Sequence, residues 1–336
     1  MAEAKRRLLL GFLKAVVLLA ALGAALTWCA FWLEARNFIA LGPAQSETVV
    51  LIKSGTGVSG IARQLASSGA ISEAILFELG VRRRGEGGAL KAGEYAFPAH
   101  ASMASILDML VKGKVIIHRL TIAEGLTSAM AVALIAKDDV LTGETPPEPR
   151  EGSLLPETYL FERGTTRAEL LARMQKAQSA VLDRLWATRE AGSPLQTREQ
   201  AIILASIVEK ETAIPSERGH IARVFLNRLQ MGIRLESDPT IIYGLTKGVP
   251  LGHGLRQSEL ATPNPYSTYQ IDGLPPGPIC NPGRDAIAAV LNPPVSDDLY
   301  FVADGNGGHV FAATLAEHNR NVARWRQIER ERGAAP

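Results

Sequence analysis

A chain of 336 residues is long enough for about two domains. Its composition, 46% apolar and 21% charged, supports packed cores and excludes a chain disordered throughout. A formal net charge of only +2 excludes the basic footprint of a nucleic-acid binder.

Lys5, Arg6, Arg7 and Lys14 precede the uncharged run AVVLLAALGAALTWCAFWL at residues 15–33. That run is long enough to cross a hydrocarbon core of roughly 30 Å, and it has no polar face for a soluble helix. Trp28, Phe31 and Trp32 gather at its far end, where amphipathic rings favour a membrane interface. The basic residues before the span predict a cytoplasmic tail (1–14), a single transmembrane helix (15–33) and export of everything after Glu34. A cleaved signal peptide is the rival reading. No small-x-small site follows the apolar run, and Trp28 is too large to precede a lipoprotein cysteine at Cys29. Cys29 and Cys280 are too separated to predict a bridge, and Cys280 reads as a small buried side chain.

A linker at 34–46 leads to a compact α/β module at 47–113. Residues 49–55 read as a strand, and Val58 through Ser68 as a helix, with Val58, Ile61, Ala62 and Leu65 at helical spacing. Gly69 closes that helix, and Ser72 is the expected N-cap of the next. Arg82, Arg83 and Arg84, beside three glycines, read as a solvated loop. A turn at Gly93 opens a strand, and Ser102 opens a helix that Gly113 ends. Residues 115–122 are strand-like, the Pro-rich 145–161 resists regular structure until Tyr159, and 166–190 predict a long surface helix. Thr197 and Gln200 then form a capping box before Ile202, Ile203, Leu204, Ala205, Ile207 and Val208, which are apolar all round and predict a buried helix. From Gly244 to Gly283, glycine and proline predict rigid irregular loops. The expected fold class is α+β in both exported parts, with the larger domain at 114–330.

No HExxH or paired CxxC spacing predicts a metal site. GTGVSG at 55–60 lacks a phosphate-loop ending, and no GxSxG elbow is present. Carboxylates remain. Glu209 shares a helix face with Ala205 and Ile202, and Glu211 with Ile207 and Leu204, so periodicity leaves open which one meets a cleft. Desolvation raises a carboxyl toward neutrality and suits it to general acid catalysis.

Residues 205–244, ASIVEKETAIPSERGHIARVFLNRLQMGIRLESDPTIIYG, resemble the endolytic murein transglycosylase (MltG/YceG-like) family. LPPGPICNPG at 274–283, YFVADGNGGHVFAATLAEHN at 300–319, PETYLF at 156–161 and LKAGEY at 90–95 fit it in the same order. The resemblance spans nearly the whole exported part. It implies a single-pass inner-membrane protein with a LysM-like module at 47–113 and a transglycosylase domain at 114–330 outside the membrane. The implied reaction cleaves the β-1,4 bond from N-acetylmuramic acid to N-acetylglucosamine in nascent strands and leaves 1,6-anhydro ends, so elongation stops. It needs no cofactor. By the resemblance the catalytic acid falls on Glu209. Candidate substrate contacts are Ser237, Asp238, Thr240, Tyr243, Tyr269, Asn281 and His309. Ser267 departs from the family's usual asparagine in Tyr266-Ser267-Thr268-Tyr269. Peptidoglycan strands are the implied partner, with penicillin-binding proteins beside them. A non-catalytic peptidoglycan-binding scaffold and a muramidase-type hydrolase are the alternatives.

Overall fold

A computed structural model describes residues 2–333, with side chains from Leu10 onward. Of the expected tail, Met1 and the side chains of Lys5, Arg6 and Arg7 lie outside the described residues. The chain forms two compact units. One runs to His118 and includes Glu162–Gly164; the other comprises Arg119–Phe161 and the chain from Thr165 onward.

In the first unit, α1 (Ala2–Ile39) contains a segment, Leu10–Ile39, long and apolar enough to cross a membrane, with mean hydropathy 2.2. The helix continues past the expected end of the span at residue 33. Phe38 is buried in the core of the unit and lies against Gly80, where a Cβ would collide with its ring. Strand β1 (Thr48–Ile52) is followed by α2 (Val58–Ser67) and α3 (Ala74–Arg84), then by β2 (Gly93–Phe97) and α4 (Met103–Lys112). β1 and β2 pair antiparallel, with Val50 opposite Tyr95. Their inward residues meet Ile61 and Leu65 of α2, Phe77 and Val81 of α3, and Ile106, Leu107 and Leu110 of α4. Burial of each such side chain stabilises by roughly 1.5–3 kcal/mol.

Two details differ from expectation. Ser72 caps nothing; α3 starts at Ala74 behind Glu73, which makes no side-chain cap bond. Arg82, Arg83 and Arg84 form the last turn of α3 rather than a loop, because the helix stops only at Gly85, in the left-handed region at φ 68°. Each of the three has an acidic partner: Glu78, Glu34, and Glu86 with Asp108. Ser102 does cap α4, accepting from Ser105 N at 3.2 Å, and Gly113 ends it at φ 70°.

β3 (Ile117–Thr121) begins in the last residues of the first unit and enters the second, where it precedes α5 (Ser128–Lys137); it pairs with β4 (Thr158–Glu162), and α6 (Arg167–Ala187) follows. α7 (Arg198–Glu211) opens with the expected Thr197–Gln200 capping box. Every residue from Ala201 to Val208 is buried, against α6, α8 (Arg218–Gln230), α9 (Asp238–Thr246) and α11 (Arg284–Leu291). Between α9 and α11 lies α10 (Gln257–Ala261). The chain then forms an antiparallel hairpin of β5 (Tyr300–Ala303) and β6 (His309–Ala312), and ends in α12 (Leu315–Gly333). The architecture is mixed helix and strand, with two-stranded sheets only among the described residues. Cys280 is buried and donates to Ser206 O at 3.3 Å; Cys29 is exposed, and both are free thiols.

Candidate active site

The last turn of α7 carries both glutamates. Thr212 leaves the helix in extended conformation, its hydroxyl accepts from Ile214 N at 3.0 Å, and Pro215 prevents continuation. Two residues along a helix are about 200° apart around its axis. Glu209 and Glu211 therefore face different surroundings.

Glu209 is enclosed by the loop before α11. Its Oε2 accepts from Gly283 N at 2.9 Å, and Arg218 Nη2 lies 3.4 Å from Oε1. The same guanidinium reaches Glu124 at 3.2 Å and Asp285 at 3.7 Å. Gly283 is needed for close approach, since a Cβ there would run into the Glu124 carboxyl. The Glu209 side chain is 4% exposed. Burial raises its pKa and the Gly283 amide opposes the rise; Glu124 adds to it, while Arg218 and Lys210 oppose it.

Glu211 faces a cavity of about 450 Å³, within the range of small-molecule sites. Asp238 and Tyr269 line it beside Glu211, and Tyr300, His318 and Asn319 line it too. Ser237 Oγ donates to Glu211 Oε1 in a short hydrogen bond. Burial lifts the Glu211 carboxyl to about 7, against the lowering effect of Ser237; the Asp238 charge adds to the rise and His309 opposes it. Tyr269, at 37% exposed, donates to Asp238 Oδ1 at 2.9 Å.

The structure brings Ser237, Asp238 and Tyr269 together at Glu211. Thr240 is fully buried beneath them, where its hydroxyl donates to Ser237 O at 2.6 Å and contacts Thr268 Oγ1 at 3.0 Å. Thr268 Oγ1 in turn accepts from Ser237 N at 2.9 Å, so the loop under the cleft is pinned from both sides. Glu236 sits there at φ 54°, an uncommon conformation for a side-chain-bearing residue, held by Arg228 Nη2 at 2.5 Å. His309 is engaged by Glu217, whose carboxylate accepts from its backbone N at 2.9 Å and pairs with Nδ1 at 2.8 Å. Burial pushes Glu217 up, but these His309 bonds outweigh it and hold the carboxyl below its ordinary value.

Asn281 and Tyr243 belong to a separate buried network that includes a third carboxyl, Glu151. The Asn281 amide accepts from Leu154 N at 2.9 Å and donates to Leu126 O, Ser128 Oγ and Glu151 Oε1, at 0% exposure. Tyr243 OH donates to Glu151 Oε2 at 3.3 Å. Burial raises Glu151, and Ser128, Gly152 and Tyr243 oppose the rise through hydrogen bonds. Nothing in the Pro-rich stretch around Glu151 signals this role in the sequence. Ser267, at the departing position, is also fully buried, and its hydroxyl has no hydrogen-bond partner.

Two other arrangements test negative. His220 contacts both Asp298 (2.7 Å) and Ser296 (3.3 Å) through the single atom Nε2, so it cannot relay a proton between them as a triad histidine does. Among the described residues no group of three or more His, Cys, Asp or Glu side chains is arranged to hold a metal ion.

A mixed α/β unit with a desolvated glutamate in an aromatic cleft fits a carbohydrate-cleaving site, and comparison with known proteins gives the family. The YceG-like family model matches residues 50–324, and the chain belongs to that family. A Bacillus subtilis (strain 168) protein named endolytic murein transglycosylase is 29% identical over 303 residues, covering 80% of this chain and 82% of its own. A Streptococcus pneumoniae (serotype 2, strain D39) protein of the same name is 37% identical over 179 residues, 52% of this chain and 32% of its own. A solved YceG-like protein from Listeria monocytogenes aligns with a TM-score of 0.50 at 28% identity, covering 82% of this chain and 99% of that structure.

Proposed function

We propose that the chain is an endolytic peptidoglycan transglycosylase, a lyase, whose acid and base is Glu211. The resemblance alone implies Glu209 for that role. The observation that moves it is the difference in surroundings: Glu211 opens onto the cleft with its carboxyl lifted to about 7, whereas Glu209 is tied to Gly283 and Arg218. A group near neutrality can give and then take a proton at physiological pH.

Protonated Glu211 donates to the bridging oxygen as the C1–O bond of the muramoyl residue breaks. The sugar gains oxocarbenium character, and the Asp238 carboxylate in the same cleft supplies favourable charge. The Glu211 carboxylate next takes the proton of the 6-hydroxyl, whose oxygen closes onto C1. No water enters the product and no cofactor is required. Ser237 holds the carboxyl in place, and Tyr269 offers an aromatic face to a sugar ring. Thr240, Asn281, Tyr243 and His309 serve the site by fixing its walls, since their polar groups are engaged within the protein.

The β1-α2-α3-β2 order of the first unit supports a LysM-like glycan-binding module at 47–113, with the transglycosylase domain at 114–330. The apolar span of α1, preceded by Lys5, Arg6 and Arg7, supports a single-pass anchor in the inner membrane with the N-terminus in the cytoplasm. Nascent peptidoglycan near the membrane is then the substrate, and penicillin-binding proteins are the proposed neighbours. A binding scaffold alone would leave the lifted carboxyl of Glu211 without a use. Mass spectrometry of peptidoglycan digested by the full-length chain tests the reading. Ends lighter by one water than reducing ends are expected; reducing ends would mean hydrolysis.

A further inference from the structure

We propose that Asn319, on the first turns of α12, reads the acetamido group of a sugar bound at Glu211. The inference rests on the carbohydrate-cleaving reading of that cleft. Leu315, His318 and Asn319 stand at i, i+3 and i+4 on α12, so one helix face carries all three, and all three line the cavity. Asn319 is exposed, and its carboxamide has no hydrogen-bond partner among the described residues. Its carboxamide is the natural complement of an acetamido group, with Nδ2 donating to the carbonyl and Oδ1 accepting from the N–H. Leu315 beside it is 56% exposed, an apolar surface for the acetyl methyl to cover.

The charges of the cavity favour a neutral group over an anion. Among the described residues Arg228 is the one arginine or lysine on its wall, and Glu236 pairs with it at 2.5 Å. Asp238 and Glu211 leave the remaining field negative or neutral. Burial and the nearby Arg228 hold the His318 imidazole below its usual value, so it adds no cation near neutral pH. His318 instead stacks on Tyr300 at 5.1 Å and keeps that ring at the cleft wall. A carboxylate of a stem peptide would therefore meet repulsion here, and a bare hydroxyl would leave Leu315 uncovered.

The test uses the full-length chain in detergent, in a Glu211→Gln background that blocks cleavage. Affinities for chitotetraose and cellotetraose are measured by calorimetry; these neutral β-1,4-linked oligosaccharides differ at C2, where one carries acetamido groups and the other hydroxyls. The parent is expected to prefer chitotetraose, and Asn319→Ala to reduce that preference roughly tenfold, the worth of one to two net hydrogen bonds. A parent without preference, a preference unchanged by Asn319→Ala, or an equal loss for both sugars would overturn the assignment. Product masses from the wild type judge the transglycosylase reading separately, so either idea can fail without the other.

Discussion

Replacing Ser237 with alanine removes the hydroxyl that donates to Glu211 Oε1, which is the main influence holding that carboxyl down against burial. A hydrogen bond to a charged group contributes about 1.5–3 kcal/mol, and one pKa unit corresponds to about 1.4 kcal/mol. The Glu211 carboxyl should therefore rise from about 7 by roughly one to two units in Ser237→Ala. The first proton transfer needs the protonated acid, so activity falls on the alkaline side as Glu211 ionises. That limb should move to higher pH in the variant. The assay follows kcat/KM for release of anhydro-ended fragments across roughly two pH units on either side of the Glu211 value of about 7. A limb that stays in place, or moves to lower pH, would refute the link between Ser237 and the acid.

Glu211→Gln should lower the rate by at least about 100-fold, measured as fragment release. It should also stabilise the fold above neutrality. The Glu211 carboxyl is raised from 4.5 to about 7, so the folded chain holds a proton there that the unfolded chain has lost. Stability from this group is full below 4.5 and is lost as pH rises toward 7, at a cost of up to about 3 kcal/mol. Thermal melts of wild type and Glu211→Gln should then coincide at pH 4 and separate at pH 8, and parallel melts would contradict the burial argument. Asn281→Ala leaves Leu154 N buried without its acceptor and should cost at least roughly 1–3 kcal/mol in urea denaturation. Phe38→Ala should destabilise the first unit by about 3–5 kcal/mol, read by hydrogen exchange at Leu65 and Leu107, because the ring fills the space over Gly80.

Much of this architecture is legible in the chain because local signals and burial agree. Thr197 and Gln200 announce the start of α7, the eight buried residues behind them announce its depth, and Gly113 ends α4 where only a left-handed residue fits. The failures are equally local. Ser72 has the chemistry of a cap, but the chain turns into α3 one residue too late for its hydroxyl to reach a free amide. The arginine triplet looks solvated beside its glycines, yet acidic partners on α1, α3 and α4 hold it within a helix. The choice between Glu209 and Glu211 is a different kind of problem. Both project from apolar helix faces, and what separates them is supplied by distant residues: Gly283 and Arg218 around one, Ser237, Asp238 and Tyr269 around the other. Periodicity carries no information about such partners.

The central claim is that Glu211 performs the proton transfers and Glu209 braces the loop at Gly283. Full-length wild type, Glu211→Gln and Glu209→Gln should be incubated with peptidoglycan and their products weighed by mass spectrometry, after each variant is shown to fold by circular dichroism. Anhydro ends are expected from wild type, absent from Glu211→Gln, and still formed, more slowly, by Glu209→Gln. Anhydro ends that persist in Glu211→Gln and vanish in a folded Glu209→Gln would contradict the account and return the acid to Glu209.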